Sequence, residues 1–206
     1  MVSAGSLLQI TLCANIAPVA CAGVVLTGGT SRRLGFDKAT VRVGTETLAE
    51  RAARVLAAAC SPLIEVGPGH CPIPSVREEP PGAGPLAALV AGADALEADS
   101  VVLLACDLVR VEIPLLVMLA EWPGAPSVVP VVDGRAQLVC ARYGADALAV
   151  ARRLLANGER SLRALLDEIA ADTVTPADRP ALMGPETFVD LDTPDDLARL
   201  GLRAPG

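Results

Sequence analysis

AGVVLTGGTSRRLGFDK, residues 22–38, is the stretch from which the rest of the chain can be interpreted. Its β-branched, apolar start predicts a buried strand. The glycines that follow, Gly28 and Gly29, predict a backbone that can adopt positive φ and lie against phosphate groups. Cations come next, closely spaced: Arg32, Arg33 and Lys38. Lys38 is the only lysine of the chain, and its compact ammonium suits a point contact with a phosphate.

On these residues alone, a plain strand-to-loop turn with solvated cations is an equally good interpretation, because a single glycine-rich loop is weak evidence. The stretch has neither the three spaced glycines of a dinucleotide fingerprint nor the G-K-[ST] ending of a P-loop. Its function therefore depends on what the rest of the chain places beside it.

The composition is that of an acidic globular protein with few aromatic rings. Its 206 residues suffice for one sizeable core and are few for two domains. Hydrophobic residues make up 52% but aromatic residues only 2%, which leaves little to stack on nucleobases. A net charge of −7 disfavours nucleic acid and anionic membranes as partners. The cations within residues 32–38 are a local exception, as a small polyanionic ligand requires.

Two features bear on the compartment and the boundaries of the protein. The six cysteines form no C-x-x-C pair, so we expect reduced thiols in a cytoplasmic protein. Residues 1–20 are apolar but contain no Arg or Lys, so they are interpreted as a poorly ordered N-terminal extension rather than a signal peptide. A single domain is expected over residues 21–202.

Strand and helix patterns alternate along the chain, which predicts an α/β fold: a three-layer, Rossmann-like domain with a mostly parallel sheet. The turn pair Asp133 and Gly134 between apolar runs predicts one antiparallel hairpin. The apolar run of residues 101–106 predicts a central strand that ends at Asp107. A final strand is predicted within TFVDLD, residues 187–192, ahead of a helix.

Charged residues follow three of these strands. Ligands bind beyond the carboxyl ends of strands in such a sheet, so the glycine loop, Asp107, Asp190 and Asp192 are expected on one rim. This convergence favours a phosphate and metal site over an isolated turn. The one histidine, His70, is expected far from any strand end, which disfavours Ser-His-Asp or Cys-His catalysis. Nucleotidyl transfer fits better, because it needs mainly positioning and charge neutralisation, and a phosphate monoester acceptor is largely ionised at neutral pH.

The spelling L-x-G-G-x-x-x-R-x-G-x-D-K over residues 26–38 resembles the signature of the molybdenum cofactor guanylyltransferases, L-A-G-G-x-S-R-R-M-G-x-D-K. Thr27 stands in place of the usual Ala, and Leu34 in place of Met. Further stretches resemble other motifs of that family: EEPPGAGPLAAL (78–89), LLACDLVRV (103–111), GERSLRALL (158–166) and FVDLDTPDDL (188–197). Several positions depart from the family pattern: Glu79 replaces Asp, Ala88 replaces Gly, Val109 replaces Pro, Asp190 and Asp192 replace Asn, and Val66 and Gly67 occupy the place of another Asn.

The resemblance implies a nucleotidyltransferase that uses Mg²⁺ to join GMP from GTP to the phosphate of molybdopterin. The implied catalytic residues are Arg33, Lys38 and Asp107, and the implied metal ligands are Asp107 and Asp192. The implied nucleotide-binding residues are Leu26, Thr27, Gly28, Gly29, Lys38, Glu79, Gly84, Pro85, Leu86 and Asp107. The implied residues on the pterin side are Arg160, Asp190 and Asp192. Cofactor-biosynthesis proteins and molybdoenzyme chaperones are implied as further partners.

Two alternatives stay open. The acidic pair Asp190 and Asp192 favours a nucleotidyltransferase of the same fold that uses CTP or a sugar phosphate. The substitutions at Glu79, Val109 and Val66 favour a catalytically silent nucleotide-binding protein. Taken singly, the outlying motifs also read as a helix start, a helix cap or a surface cation, but their order and spacing together favour the transferase.

Overall fold

The computed structural model describes residues 21–28, 34–184 and 186–203. Its strands are β1 (Ala22–Leu26), β2 (Arg42–Val43), β3 (Glu46–Thr47), β4 (Leu63–Val66), β5 (Ser75–Val76), β6 (Ser100–Ala105), β7 (Val128–Val132), β8 (Arg135–Ala136), β9 (Cys140–Gly144) and β10 (Asp172–Val174). Its α-helices are α1 (Leu48–Ala57), α2 (Pro85–Ala95), α3 (Ile113–Ala120), α4 (Ala145–Ala156), α5 (Leu162–Glu168) and α6 (Pro194–Leu200), and a short 3-10 helix covers Lys38–Thr40.

The main sheet has the spatial order β10-β7-β9-β6-β1-β4-β5, with β8 paired to β7, while β2 and β3 form a separate hairpin. The pairs β4–β5, β1–β4, β1–β6 and β7–β10 are parallel. Strand β9 runs antiparallel to both of its neighbours, β6 and β7. The prediction of a mostly parallel sheet with an antiparallel hairpin is confirmed. Because β9 is reversed, its beginning lies at the edge where β1, β4 and β6 end.

Helices cover both faces of the sheet. The sequence of the central strand β6 is continuously apolar because both of its faces are buried. Its side chains alternate between two cores, as the pleat of a strand requires. Val102 and Leu104 are buried in the core that includes α1 and α3. Val101 and Leu103 are buried in the core that includes α2, α4 and α5. Among the residues described, no helix combines the length and the apolar character needed to cross a membrane.

One prediction about local structure was wrong. The predicted final strand within residues 187–192 is a series of turns and loop, because its backbone groups bond locally: the N–H of Val189 donates to the carbonyl of Glu186 at 3.2 Å. The helix that follows is present as α6. The return strand of the hairpin is divided into β8 and β9, since the N–H of Gln137 donates to Pro130 at 2.8 Å and that of Cys140 to Gln137 at 3.0 Å.

Candidate active site

A cavity of about 700 Å³ lies along the carboxyl edge of the sheet. This volume falls within the range of small-molecule sites. Its wall follows the order of the strands, from the segment after β5 through the loops after β4, β1 and β6 to the residues that precede β9. Representative lining residues from one end to the other are Arg77, Glu78, Gly67, Gly28, Asp107, Gln137 and Phe188.

Lys38 lies beside this cavity between two carboxylates. Its ammonium group donates to Asp107 Oδ2 at 3.3 Å and also to Asp192 Oδ1. The short helix that carries Lys38 is capped by Asp37, whose Oδ1 accepts the N–H of Ala39 at 2.9 Å. Burial alone would lower the pKa of Lys38, but the hydrogen bond that it donates to Asp192 and the charge of Asp107 outweigh it and raise the pKa. Lys38 therefore stays protonated in the cleft.

Asp107 follows the central strand β6, as the sequence predicted. Burial raises the pKa of this carboxyl, and the charges of Asp190 and Asp192 raise it further, while Lys38 opposes the shift. The pKa of Asp190 is raised by burial and by Asp192. Two carboxylates thus contact the ammonium of Lys38 and a third, Asp190, lies within range of their charges, so bringing a further cation would relieve their mutual repulsion.

The number of carboxylates at the cavity matches what a magnesium ion in a nucleotide site requires. Within the described ranges, no group of three or more His, Cys, Asp or Glu side chains is arranged to enclose a metal ion. Mg²⁺ in nucleotide enzymes is held by one or two carboxylates, with phosphate oxygens and water completing the octahedron. Asp107 and Asp190 both line the cavity and supply that number of carboxylates.

A buried glutamate that was not singled out from the sequence supports the loops that form part of the cavity wall. Glu65 lies in β4 with 0% of its surface exposed. Its Oε1 accepts the hydroxyl of Thr27 and the N–H groups of Gly69 and His70, at 2.9 and 2.8 Å for the two amides. Its Oε2 accepts the N–H of Cys71 at 2.6 Å. Burial opposes ionisation, but these hydrogen bonds outweigh it and hold the pKa of Glu65 below its usual range.

The close approach of two loops requires glycine at position 67. A Cβ on Gly67 would lie 2.0 Å from Thr27 Oγ1 and 3.0 Å from the N atom of Gly28. Gly28 itself does not have positive φ, and a Cβ there would be 3.8 Å from the nearest atom, so the predicted backbone freedom is not used at that position. Gly29 and Arg33 lie outside the described residues, and their predicted roles stay predictions.

The expectation for His70 was wrong. The loop after β4 folds back over the start of the site, and His70 Nε2 lies 2.8 Å from Asp37 Oδ2. The one histidine of the chain therefore contacts the residue that directly precedes Lys38. It connects the loop that Glu65 holds to the segment that carries the lysine.

One end of the cavity presents Glu78 rather than Glu79. Arg77 and Glu78 line the cavity, and Glu78 Oε1 accepts the N–H of Gly82 at 2.9 Å. The neighbouring Glu79 is exposed and is not among the lining residues. The hydrogen bond from Gly82, itself a lining residue, holds the Glu78 carboxylate at the cavity wall.

Helix α2 begins at the same end. Gly84 precedes it with φ of 99°, a conformation that glycine adopts without strain. Pro85 lines the cavity, whereas the side chain of Leu86 is fully buried in the core. The backbone carbonyl of Arg160 lies 3.2 Å from the position that a Cβ on Gly84 would occupy. The guanidinium of Arg160 points away from this end and donates to the carbonyls of residues 155 and 159.

The structure therefore brings most of the sequence-predicted residues together. Those on the cavity wall are Leu26, Thr27, Gly28, Lys38, Gly84, Pro85, Asp107 and Asp190. Asp192 joins them through Lys38, while the side chains of Glu79, Leu86 and Arg160 point elsewhere. Sequence reasoning missed Arg77, Glu78, Gln137, Phe188 and the buried Glu65. An acid in the middle of the apolar strand LIEV was the one available signal for Glu65.

A glycine-containing loop, a lysine and a set of carboxylates at the carboxyl edge of a three-layer α/β sheet fit an enzyme of the nucleotidyltransferase class. The sequence profile of the MobA-like NTP transferase domain matches residues 23–174. The chain belongs to this family of MobA-like NTP transferases.

Individual relatives agree with that assignment. A protein named probable molybdenum cofactor guanylyltransferase from Chloroflexus aggregans is 34% identical, over 85% of this chain and 90% of its own length. The solved structure of molybdopterin-guanine dinucleotide biosynthesis protein A from Archaeoglobus fulgidus is similar with a TM-score of 0.71, at 22% identity, over 86% of this chain and 95% of the other. The structure of Rv0371c from Mycobacterium tuberculosis H37Rv, a complex with manganese, has a TM-score of 0.60 at 18% identity, over 88% and 97% of the two chains.

Proposed function

We propose that this protein transfers GMP from GTP to the phosphate of molybdopterin and releases pyrophosphate. The observation that carries the proposal is the position of Lys38 between Asp107 and Asp192 on the wall of a nucleotide-sized cavity. The similarity to a protein named as a molybdenum cofactor guanylyltransferase supports the choice of both substrates.

The strand order suggests how GTP would lie. The base would occupy the end formed by Arg77, Glu78 and Gly84, where a carboxylate can accept the N–H groups of guanine. The triphosphate would follow the loop at Thr27 and Gly28 towards the centre of the sheet edge. The α-phosphate would then lie near Lys38, whose pKa is raised and whose charge is therefore retained.

The reaction needs no base from the protein. An oxygen of the acceptor phosphate, ionised because its second pKa is about 6, attacks the α-phosphorus of GTP. A new P–O bond forms to that phosphorus while its bond to the oxygen that bridges to the β-phosphate breaks, and pyrophosphate leaves with the electron pair. Lys38 neutralises charge on the phosphoryl oxygens during this step, and Asp192 orients the ammonium group.

A divalent cation would complete the site. Asp107 and Asp190 are the residues that would hold Mg²⁺, and the ion would supply charge neutralisation for the phosphates. Manganese, the ion in the Mycobacterium tuberculosis neighbour, has similar ligand preferences.

The test is a transfer assay with purified protein, molybdopterin, Mg²⁺ and one nucleotide at a time. We expect pyrophosphate and the guanine dinucleotide of the pterin to form together with GTP, and neither to form without acceptor or with excess chelator. Preferential turnover of CTP would redirect the proposal to a cytidylyl enzyme. Tight GTP binding without pyrophosphate release would indicate a silent nucleotide-binding protein.

A further inference from the structure

A second cavity, of about 420 Å³, adjoins the first at the end remote from Arg77 and Glu78. We call it the hairpin cavity. It is lined by Val132, Asp133, Arg135, Gln137, Phe188 and Val189. Gln137 and Phe188 also line the larger cavity, so the two spaces share a wall and meet there.

The strand order separates the two ends of this combined space. The base end lies at β5, and the hairpin cavity lies beside β7, five strand positions away along the order β5-β4-β1-β6-β9-β7. At about 4.8 Å per strand, five positions correspond to about 24 Å. Lys38 and Asp107 belong at the end of β6, next to β9. A nucleotide that reaches them from the base end leaves the opposite side open to the acceptor.

The wall of the hairpin cavity has a fixed shape. Asp133 and Gly134 form the turn between β7 and β8 with φ of 49° and 72°, the left-handed pair that a tight two-residue hairpin uses. The amide of Gln137 donates to the carbonyl of Arg135 at 3.1 Å and fixes the exit from the hairpin. Across the cavity, the segment with Phe188 is attached to the fold by the ion pair of Glu186 with Arg110.

The ring of Phe188 is notable because the chain contains so few. Its aromatic residues are Phe36, Trp122, Tyr143 and Phe188, of which Phe36 packs against the core that includes α1 and α3. Tyr143 is fully buried, with its hydroxyl on the carbonyl of Leu138 at 2.7 Å. The indole of Trp122 donates to Asp172 at 2.7 Å on another part of the surface. Phe188 is half-buried and borders both cavities, so its ring can cover a flat heterocycle whose phosphate points towards Lys38.

The charged residues of the hairpin match one edge of a pterin. That edge presents two N–H donors, the 2-amino group and N3–H, beside the acceptor 4-oxo group. Asp133 can accept from the donors, and Arg135 can donate to the oxo group. Both side chains line the hairpin cavity, and both lie at or next to the rigid turn.

We propose that the hairpin cavity binds the pterin ring of the acceptor, with Phe188 covering its face and Asp133 and Arg135 reading its edge. This inference rests on the proposed function, because it assumes an acceptor that is a phosphorylated pterin. It assigns acceptor specificity to the β7–β8 hairpin and nucleotide specificity to the opposite end of the cleft.

The test measures binding of the acceptor directly. The probe is metal-free molybdopterin, with a 6-substituted pterin carrying a phosphate monoester as a second probe, and the readout is the change in pterin fluorescence. The variants are Phe188→Ala, Asp133→Asn and Arg135→Gln; Asn tolerates the left-handed conformation at the turn. The control is Arg163→Gln, which removes an exposed arginine on α5.

We expect each cavity variant to weaken pterin binding at least tenfold, to raise KM for the acceptor, and to leave Kd for GTP within twofold of the wild type. The Arg163→Gln control should match the wild type in all three. A wild-type enzyme that transfers GMP to molybdopterin, with variants whose pterin affinity is unchanged, would overturn the hairpin cavity as the pterin site and leave the proposed function standing. Wild-type protein that binds GTP but no pterin phosphate would overturn the proposed function and this inference together.

Discussion

Replacing Glu65 by Gln should loosen the floor of the nucleotide cavity. The carboxylate accepts one hydroxyl and three backbone N–H groups, and an amide nitrogen cannot accept any of them. If the amide nitrogen faces Cys71, that N–H loses its partner, at a cost of about 1–3 kcal/mol. The bonds from Thr27, Gly69 and His70 remain but become weaker, because their acceptor is no longer charged. Against these losses, the neutral side chain of Gln avoids the free-energy cost of burying a charge. The expected net loss of stability is about 2–4 kcal/mol.

Thermal unfolding measures this loss, and a chain of this size should melt roughly 4–16 °C lower. GTP affinity should fall as well, because Thr27 and Gly67 are on the cavity wall. The matched control is Glu121→Gln, an exposed glutamate that should change stability by no more than about 0.5 kcal/mol. An unchanged melting temperature together with unchanged GTP affinity would refute the role of Glu65 as the support of this loop.

The pH dependence of the same variant gives an independent check. Burial opposes ionisation of Glu65, but its hydrogen bonds hold the pKa below the usual range. A group with a lowered folded-state pKa stabilises the protein fully above its unfolded pKa, about 4.3, and loses that contribution as pH falls through the folded-state value. The difference in stability between wild type and Glu65→Gln should therefore be constant near neutral pH and should narrow in acid. A difference that widens in acid would contradict the assigned direction of the pKa shift.

Further predictions concern the rest of the site. Asp107→Asn should abolish transfer with little change in the melting temperature of the free protein, and Mg-GTP should protect it poorly; an active variant would exclude Asp107 as a metal ligand. Gly67→Ala should weaken GTP binding because its Cβ would lie 2.0 Å from Thr27 Oγ1, and adding Thr27→Ala should restore part of the affinity. Glu78→Gln should reduce the preference for GTP over ATP more than Glu79→Gln does, as measured by the ratio of kcat/KM values. In thermal-shift measurements GTP with Mg²⁺ should stabilise the protein more than CTP does, since stabilisation follows RT ln(1 + [L]/Kd).

Most of the residues that sequence reasoning placed on this rim come after strands, whereas Asp190 reaches it from a turn segment although the strand predicted there is absent. Lys38 and Asp107 could be expected together because the ends of parallel strands meet at one edge, whatever the loops do. Glu65 could not, because its partners are backbone N–H groups of a loop, and such partners leave no trace in residue identity. The contact of His70 with Asp37 depends on the path of that same loop.

The choice between Glu78 and Glu79 shows a different limit. Two adjacent acids are equivalent in a motif, and the fold of the following loop, whose Gly82 N–H bonds to Glu78, decides which one faces the cavity. The predicted last strand failed for a related reason. Alternating apolar residues such as Phe188 and Leu191 can be half-buried or buried by turns that pack on the core, without any pairing in the sheet.

Because strand β9 runs against β6 and β7, the two halves of the cleft are built in different ways. The nucleotide half is built from loops that leave parallel strands and lead into or over helices, so changing any of them disturbs the layers of the fold. The other half is built from a hairpin that leaves β7 and returns to the sheet through β9, and its tip can vary in length and charge without moving a helix. Exchange of the segment from Val132 to Gln137 between relatives should therefore transplant acceptor choice while leaving nucleotide choice with the host.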